Sequence, residues 1–401
     1  MKNRKRTVLV VLVGLLGLRL LLMATMPLFE PSEARYGAIA ANMARSGDYL
    51  VPSFTYNGVY QPYKGKPPLV FQCGGLSCQV FGVCEFAVRL VPFAAFLALL
   101  TIVFFCMRRV AGAPSAILAV GICATITALY GTSGVFMTDV PLSLCTAGSL
   151  FMYACFRERE QGWLAAGIGL LLGCGMLVKG PVALVLFALP VLVDAAVNRN
   201  WRLLVSAKWI WAVPVFFVVA TPWFMLMHRR DPDFLRYFFL NENLLRFVVH
   251  DYGDRYGAGR ETFRGMAILW AFVTTLPWSI VPLVRIAKGK VHTDGMRNFF
   301  FLAFVVTTAF WCLTSRVPFA YLLPASPLFA AMLATARRGR KVLWRMLPFA
   351  AVVTAIVSAG ILFSGLFLTD KMLGEDAPKR IGKRYFAYEF YHGPWGEGAP
   401  K

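Results

Sequence analysis

Apolar runs on the order of 18 to 25 residues recur along this 401-residue chain, separated by short basic loops, and they leave it few ways to fold. At ~1.5 Å of rise per residue such a run crosses the ~30 Å hydrocarbon layer as a helix. Hydrocarbon offers no hydrogen bonds, so each backbone N–H and C=O must pair inside the protein. The runs lack the alternation that a barrel would need, which leaves an all-α bundle. With 58% hydrophobic and 15% charged residues, the chain carries more apolar side chain than one soluble core would enclose.

The hydropathy pattern places eleven spans near 7–28, 86–107, 113–131, 139–156, 162–179, 181–197, 208–227, 265–286, 298–313, 318–336 and 344–368. The first follows "KNRKR" but runs too long for a cleaved leader, and Met26-Pro27-Leu28-Phe29 is a poor cleavage site, so it reads as a retained signal anchor. Alternating the spans with the N-terminus in the cytoplasm puts every dense basic loop inside: Lys2 to Arg6, Arg108-Arg109, Arg157 with Arg159, Arg199 with Arg202 and Lys208, Arg285 to Arg297, and Arg337 to Arg345. The same test decides segment 66–82. Counting it as a span would throw the later basic clusters outside, so it is expected as an interfacial helix opened by Pro67-Pro68.

The formal charge of +21 is mostly this topological signal, with basic side chains anchored among anionic membrane lipids; no nucleic-acid partner is expected. Most of the nine cysteines read as small buried hydrophobes, while Cys73, Cys78 and Cys84 leave room for one disulfide. Residues 1–368 are expected to form one transmembrane domain, with outer loops 29–85 and 228–264 as its candidate functional face and 369–401 as a short outer tail.

The first outer loop opens with "LFEPSEARYG", charges placed directly after an apolar run. A helix is expected over Glu33 to Arg45, with Ser32 as N-cap, Gly47 as stop and an apolar stripe of Tyr36, Ile39, Ala40 and Met43 facing the membrane surface. To the same leaflet the topology delivers Glu30, Glu33, Arg35, Lys64 and Lys66, Asp139 and Lys179 from span ends, Glu242 and Arg246 from the second loop, and Arg316 from a short later loop. Such a set suits an anionic lipid headgroup, with cations for its phosphate and a carboxylate for a proton. Each residue also has a plainer reading. Glu30 and Glu33 would suit a helix N-terminus, Asp139 a helix cap, Lys179 a snorkelling position, Glu242 with Arg246 a local pair, and Tyr321 an interfacial aromatic.

The segments "FEPSEARYGAIAANMARSGDYLVP", "KPP", "TDVPL", "LVKGPVAL", "FFLNENLLRF", "LPWS" and "SRVPFAYLLPASPLFA" come in the order and spacing of the bacterial aminoarabinose transferase family, which this chain resembles over roughly residues 7 to 340. That family is related to the protein O-mannosyltransferases and shares their multi-span GT-C architecture. The resemblance implies transfer of a sugar, with inversion, from an undecaprenyl-phosphate carrier to a lipid A, glycan or protein acceptor at the outer face of the bacterial inner membrane.

The resemblance further implies Glu30, Glu33 and Asp139 as catalytic candidates, and Arg35, Lys66, Lys179, Glu242, Arg246, Arg316 and Tyr321 as carrier-phosphate or substrate contacts. The family's catalytic aspartate falls on Ser32, which cannot serve as a base at an ordinary pKa, so Glu30 and Glu33 are the substitutes. Where metal-binding relatives supply a glutamate and a histidine, this chain has Gly65 and Asn243; neither a metal nor another cofactor is expected. Two other readings stand beside this one. A lipid-linked-sugar flippase would want charges near the midplane and paired repeats, and a catalytically silent homologue would account for Ser32, Gly65 and Asn243.

Overall fold

The computed structural model describes residues 2–26, 28, 32–56, 59–245, 248, 262–287, 298–314, 316–336 and 339–373. Apolar helices dominate: α1 Lys2–Thr25, α2 Ser32–Ser46, α3 Leu69–Phe81, α4 Glu85–Ala111, α5 Ala113–Ala124, α6 Thr127–Thr132, α7 Asp139–Glu158, α8 Gly162–Lys179, α9 Val182–Asn198 and α10 Ala212–Arg230, followed by helices Met266–Thr274, Ile280–Ala287, Phe299–Trp311, Ala325–Thr335 and Arg340–Leu373. A two-stranded antiparallel hairpin, β1 Ser53–Tyr56 with β2 Val59–Pro62, pairs Ser53 with Pro62 and Phe54 with Gln61. Among the described residues, six helices are long and apolar enough to cross a membrane and five shorter apolar ones accompany them. The protein is a multi-pass membrane bundle.

Several of the expected spans are broken, and two of the breaks meet. Span 113–131 divides at Thr125-Ile126 into α5 and α6, and span 265–286 divides over Thr275–Ser279, where Pro277 has no N–H to continue a helix. The breaks satisfy each other. Thr127 N–H donates to Leu276 O at 3.1 Å, buried Trp278 Nε1 to Thr125 Oγ1 at 3.0 Å, and Thr354 Oγ1 to Thr125 O at 2.9 Å. Irregular backbone is tolerated at membrane depth where protein covers it, as it does here.

Segment 66–82 does form the short helix expected of it: α3 starts after Pro68 and has only 13 residues. One expectation for the preceding helix is corrected. The stripe Tyr36, Ile39, Ala40 and Met43 of α2 is buried against protein rather than facing lipid. The helices approach so closely that a Cβ on Gly74 would stand 2.9 Å from Ala40 Cβ and 2.5 Å from Phe136 Cζ. Ser32 begins α2 as its first residue, and Gly47, at φ +72°, stops it as its N–H reaches Met43 O. All nine cysteines are free thiols, so the disulfide left open for Cys73, Cys78 and Cys84 is not formed.

Candidate functional site

Asp139 is the first residue of α7 and Lys179 the last of α8, so the antiparallel pair brings them together at one end of the bundle. Lys179 Nζ donates to Asp139 Oδ1 at 2.7 Å, with both side chains buried. The ammonium also lies 4.0 Å from the centroid of the Tyr321 ring, itself packed on Trp311 at 4.6 Å. The N-cap position of α7 falls on Thr138 rather than Asp139, and Tyr321 is a cation–π partner rather than a belt aromatic. A carboxylate and an ammonium removed from water at a helix end cost several kcal/mol each to desolvate, which their pairing must offset.

Beside this pair lies an aromatic box from the first loop. Tyr36 meets Tyr63 and Phe71 edge to face, at 6.1 and 5.1 Å between centroids. The Tyr63 hydroxyl bonds the Tyr36 oxygen; burial pushes the Tyr36 phenol up, although that bond and the charges of Arg35 and Lys179 pull it back. Tyr63 is raised well above its ordinary value, again by burial. Both phenols therefore stay protonated near neutral pH. Arg35 is half-buried on α2 and close enough to act on both.

The second outer segment closes the other side. After α10 the chain winds as a π-helix over Tyr237–Leu245, a form often found at functional sites. It presents Glu242 3.7 Å from Lys66 Nζ, with Tyr237 Oη donating to Glu242 Oε1 at 3.1 Å. Lys66 Nζ also donates to Gly65 O at 2.6 Å. Lys64 pairs with Asp231, so the two loops are tied at two places, and Trp223 Nε1 of α10 donates to Leu50 O of the first loop at 2.9 Å. At the positions raised by the metal question, Gly65 offers only its backbone, and the Asn243 amide donates to Phe238 O at 2.7 Å. Neither is a carboxylate or an imidazole, so a metal held by those side chains does not fit this chain.

Glu33 has a different setting. Arg89 grips it with two bonds, Nε to Oε1 at 2.8 Å and Nη2 to Oε2 at 2.9 Å, and Phe136 N–H donates to Oε1 at 2.7 Å. Arg89 Nη1 meanwhile donates to Met26 O at 2.6 Å and Met23 O at 3.3 Å, satisfying carbonyls at the end of α1. Each side chain of the pair is 1% exposed. One ion pair thus fastens α1, α2, α4 and the segment leading into α7. The sequence reading missed Arg89, although a charged residue one turn inside an apolar run is a signal in itself.

Arg316 is half-buried on the short loop after Phe299–Trp311, where the neighbouring Val317 O accepts from Trp270 Nε1 at 2.9 Å. Glu30 and Arg246 lie outside the described residues.

The model of the dolichyl-phosphate-mannose-protein mannosyltransferase family matches residues 6–238, more than half of the chain. The chain belongs to that family. Among its relatives, the undecaprenyl phosphate-alpha-4-amino-4-deoxy-L-arabinose arabinosyl transferase of Edwardsiella ictaluri (strain 93-146) is 28% identical over 294 residues, covering 66% of this chain and 52% of the relative. The same-named protein of Aeromonas hydrophila is 30% identical over 297 residues, covering 67% and 53%. This member of the family therefore spans about half the length of the curated relatives it matches. The crystal structure of ArnT from Cupriavidus metallidurans bound to undecaprenyl phosphate superposes with a TM-score of 0.70 at 21% identity, over 91% of this chain and 65% of that one. The fold is accordingly the GT-C-type helical bundle that the motif order implied.

Proposed function

We propose that this protein is a glycosyltransferase that moves a sugar from an undecaprenyl-phosphate carrier to an acceptor hydroxyl or amine at the outer face of the bacterial inner membrane, with inversion. The observation that carries the reading is the meeting, at one end of a membrane bundle, of the buried Asp139–Lys179 pair under Tyr321 with Lys66 and Glu242 of the two outer loops. The donor named by the relatives is an undecaprenyl-phosphate sugar. The charges support this orientation: Arg108, Arg109, Arg157, Arg159, Arg199 and Arg202 lie at or just after the C-terminal ends of α4, α7 and α9, opposite the site, and suit the cytoplasmic side.

In this reading the acceptor heteroatom attacks the anomeric carbon on the face opposite the carrier, the bond from that carbon to the phosphate oxygen breaks, and the acceptor proton passes to a carboxylate. Charge growing on the departing phosphate is what Lys66, Lys179, Arg35, Arg246 and Arg316 are placed along the chain to stabilise, which is where such groups accelerate transfer. Glu33 has both oxygens committed to Arg89 and Phe136, so we assign it to holding the first loop in place and assign proton removal to Glu30, with Asp139 orienting Lys179. Lipid A, another glycan and a protein are the acceptor classes this site would serve.

Sugar transfer from an undecaprenyl-phosphate-linked donor, assayed with protein in detergent or nanodiscs, tests the reading. Glu30→Gln and Asp139→Asn are each expected to lower kcat by about a hundredfold or more while the protein stays folded. Full transfer in both variants would overturn it.

A further inference from the structure

Arg19 is a charge in a place where packing alone would want none. It lies in α1, six residues and about 9 Å inside the C-terminal end of that helix, and is 6% exposed. An ionised group inside an apolar span is expensive to keep, and where it is kept it has a partner or a task. Among the described residues no carboxylate lies within ion-pair distance of Arg19, and its Nε has no hydrogen-bond partner. Glu33, the carboxylate near enough to act on it, is already gripped by Arg89.

What Arg19 holds is backbone. Its Nη2 donates to Gly131 O, and the guanidinium lies 5.7 Å from the centroid of the Tyr130 ring, whose hydroxyl donates to Leu15 O at 2.7 Å, one turn back on α1. Gly131 O belongs to the last turn of α6, where carbonyls have no partner inside the helix. Gly134 leaves the room for this contact, because a Cβ there would collide with Nε, Cζ and Nη2 of Arg19. From that turn the chain runs without regular helix through 133–138 and enters α7 at Asp139. Val135 N–H donates to Thr132 O at 3.1 Å and Met137 N–H to Val135 O at 2.7 Å, while Glu33 accepts from Phe136 N–H at 2.7 Å. The stretch is therefore clamped at 131 by α1 and at 136 by α2, three residues before the carboxylate that meets Lys179.

We propose that Arg19 is a positioning residue for the Asp139–Lys179 pair: by holding Gly131 O it sets where the 133–138 stretch delivers Asp139. The proposal rests on the role given above to that pair in sugar transfer. Arg19 touches neither carrier nor acceptor and acts through the backbone. Packing of α1 against α6 would be served as well by an apolar side chain, since replacing a buried charge by a hydrophobe of similar volume is often neutral or stabilising. The charge is kept at a cost in stability, as groups that serve an active site commonly are.

Transfer kinetics and thermal unfolding, both measured on the purified full chain in detergent or nanodiscs with an undecaprenyl-phosphate-linked donor, separate positioning from packing. Arg19→Met is expected to lower kcat about tenfold or more, as small misplacements of reacting groups do, with KM for the donor unchanged and the unfolding midpoint level or raised. Arg19→Lys, which still offers a cationic donor, should recover much of the loss. Gly134→Ala keeps Arg19 but crowds its guanidinium, and should reproduce part of the loss. In an Asp139→Asn background Arg19→Met should bring no further fall, because both act on one pair. Full kcat in Arg19→Met, a fall matched by loss of folded protein, or an independent fall in the Asp139→Asn background would each overturn the positioning role and leave the proposed function standing. Full transfer in Asp139→Asn would overturn it through the pair on which it rests, and full transfer in Glu30→Gln as well would take the proposed function with it.

Discussion

Two carboxylates face two cations at the mouth of this bundle, and the pairs behave as opposites. Glu33 and Arg89 are sealed: two short bonds, a third from a backbone N–H, and 1% exposure on each side. Lys66 and Glu242 sit where two loops meet, further apart and more exposed. The first pair also bonds the Met23 and Met26 carbonyls and the Phe136 N–H, joining four chain segments, so its strength goes into architecture. The second bridges the two outer loops, with each partner also bonded within its own segment. Similar residue types give a rivet in one place and a looser contact in the other, and the difference lies in geometry and access to solvent.

The largest expected effect tests the rivet. Arg89→Met would leave the Glu33 carboxylate buried without its cation, and such breaks cost about 3–5 kcal/mol. Thermal unfolding in detergent should show a large loss of stability or of folded protein, and adding Glu33→Leu should recover part of it, because an apolar pair of similar volume is tolerated where a lone charge is not. Unchanged stability in Arg89→Met would dissolve the contrast. A smaller effect is expected at the looser contact: Lys66→Met should lower stability less than Arg89→Met while abolishing carrier binding, because Glu242 keeps its bond from Tyr237 and Lys64–Asp231 still ties the loops. Should it destabilise as much as Arg89→Met, the two pairs are alike.

The smallest effect belongs to the opposite end of the molecule. Glu160 accepts from Ser206 and, at 3.4 Å, from the exposed Arg202; the Ser206 bond comes first in holding its carboxyl below the ordinary range. A depressed folded-state pKa gives stability that is present above the unfolded value of ~4.3 and is lost as pH falls through the folded one. Glu160→Gln should therefore change unfolding little at pH 7, by less than ~0.5 kcal/mol, and flatten a weak acid dependence below pH 4.3. A steep acid loss that survives the substitution would point to other carboxylates.

The sequence by itself determined the class of this protein and much of its plan. Run lengths dictate helices because hydrocarbon supplies no hydrogen bonds, and all eleven expected spans overlap helices. One of them, 318–336, is divided into a 3-10 helix Phe319–Leu322 and Ala325–Thr335, with Pro324 between them. The meeting of Asp139 with Lys179 was half legible: both sit at span ends on one leaflet, but only tertiary packing made them partners and put Tyr321 against the ammonium.

What only the tertiary structure decided was which charge does which job. Glu33 looks as available as Glu30 in "LFEPSEARYG", yet Arg89, 56 residues further on, claims it. The α2 stripe reads as a lipid-facing surface until Gly74 lets α3 cover it. Hydropathy and charge order fix depth and side because each depends on one residue and the solvent around it. Pairing depends on two residues distant in sequence and on what excludes water from between them, and that is settled only when the helices pack.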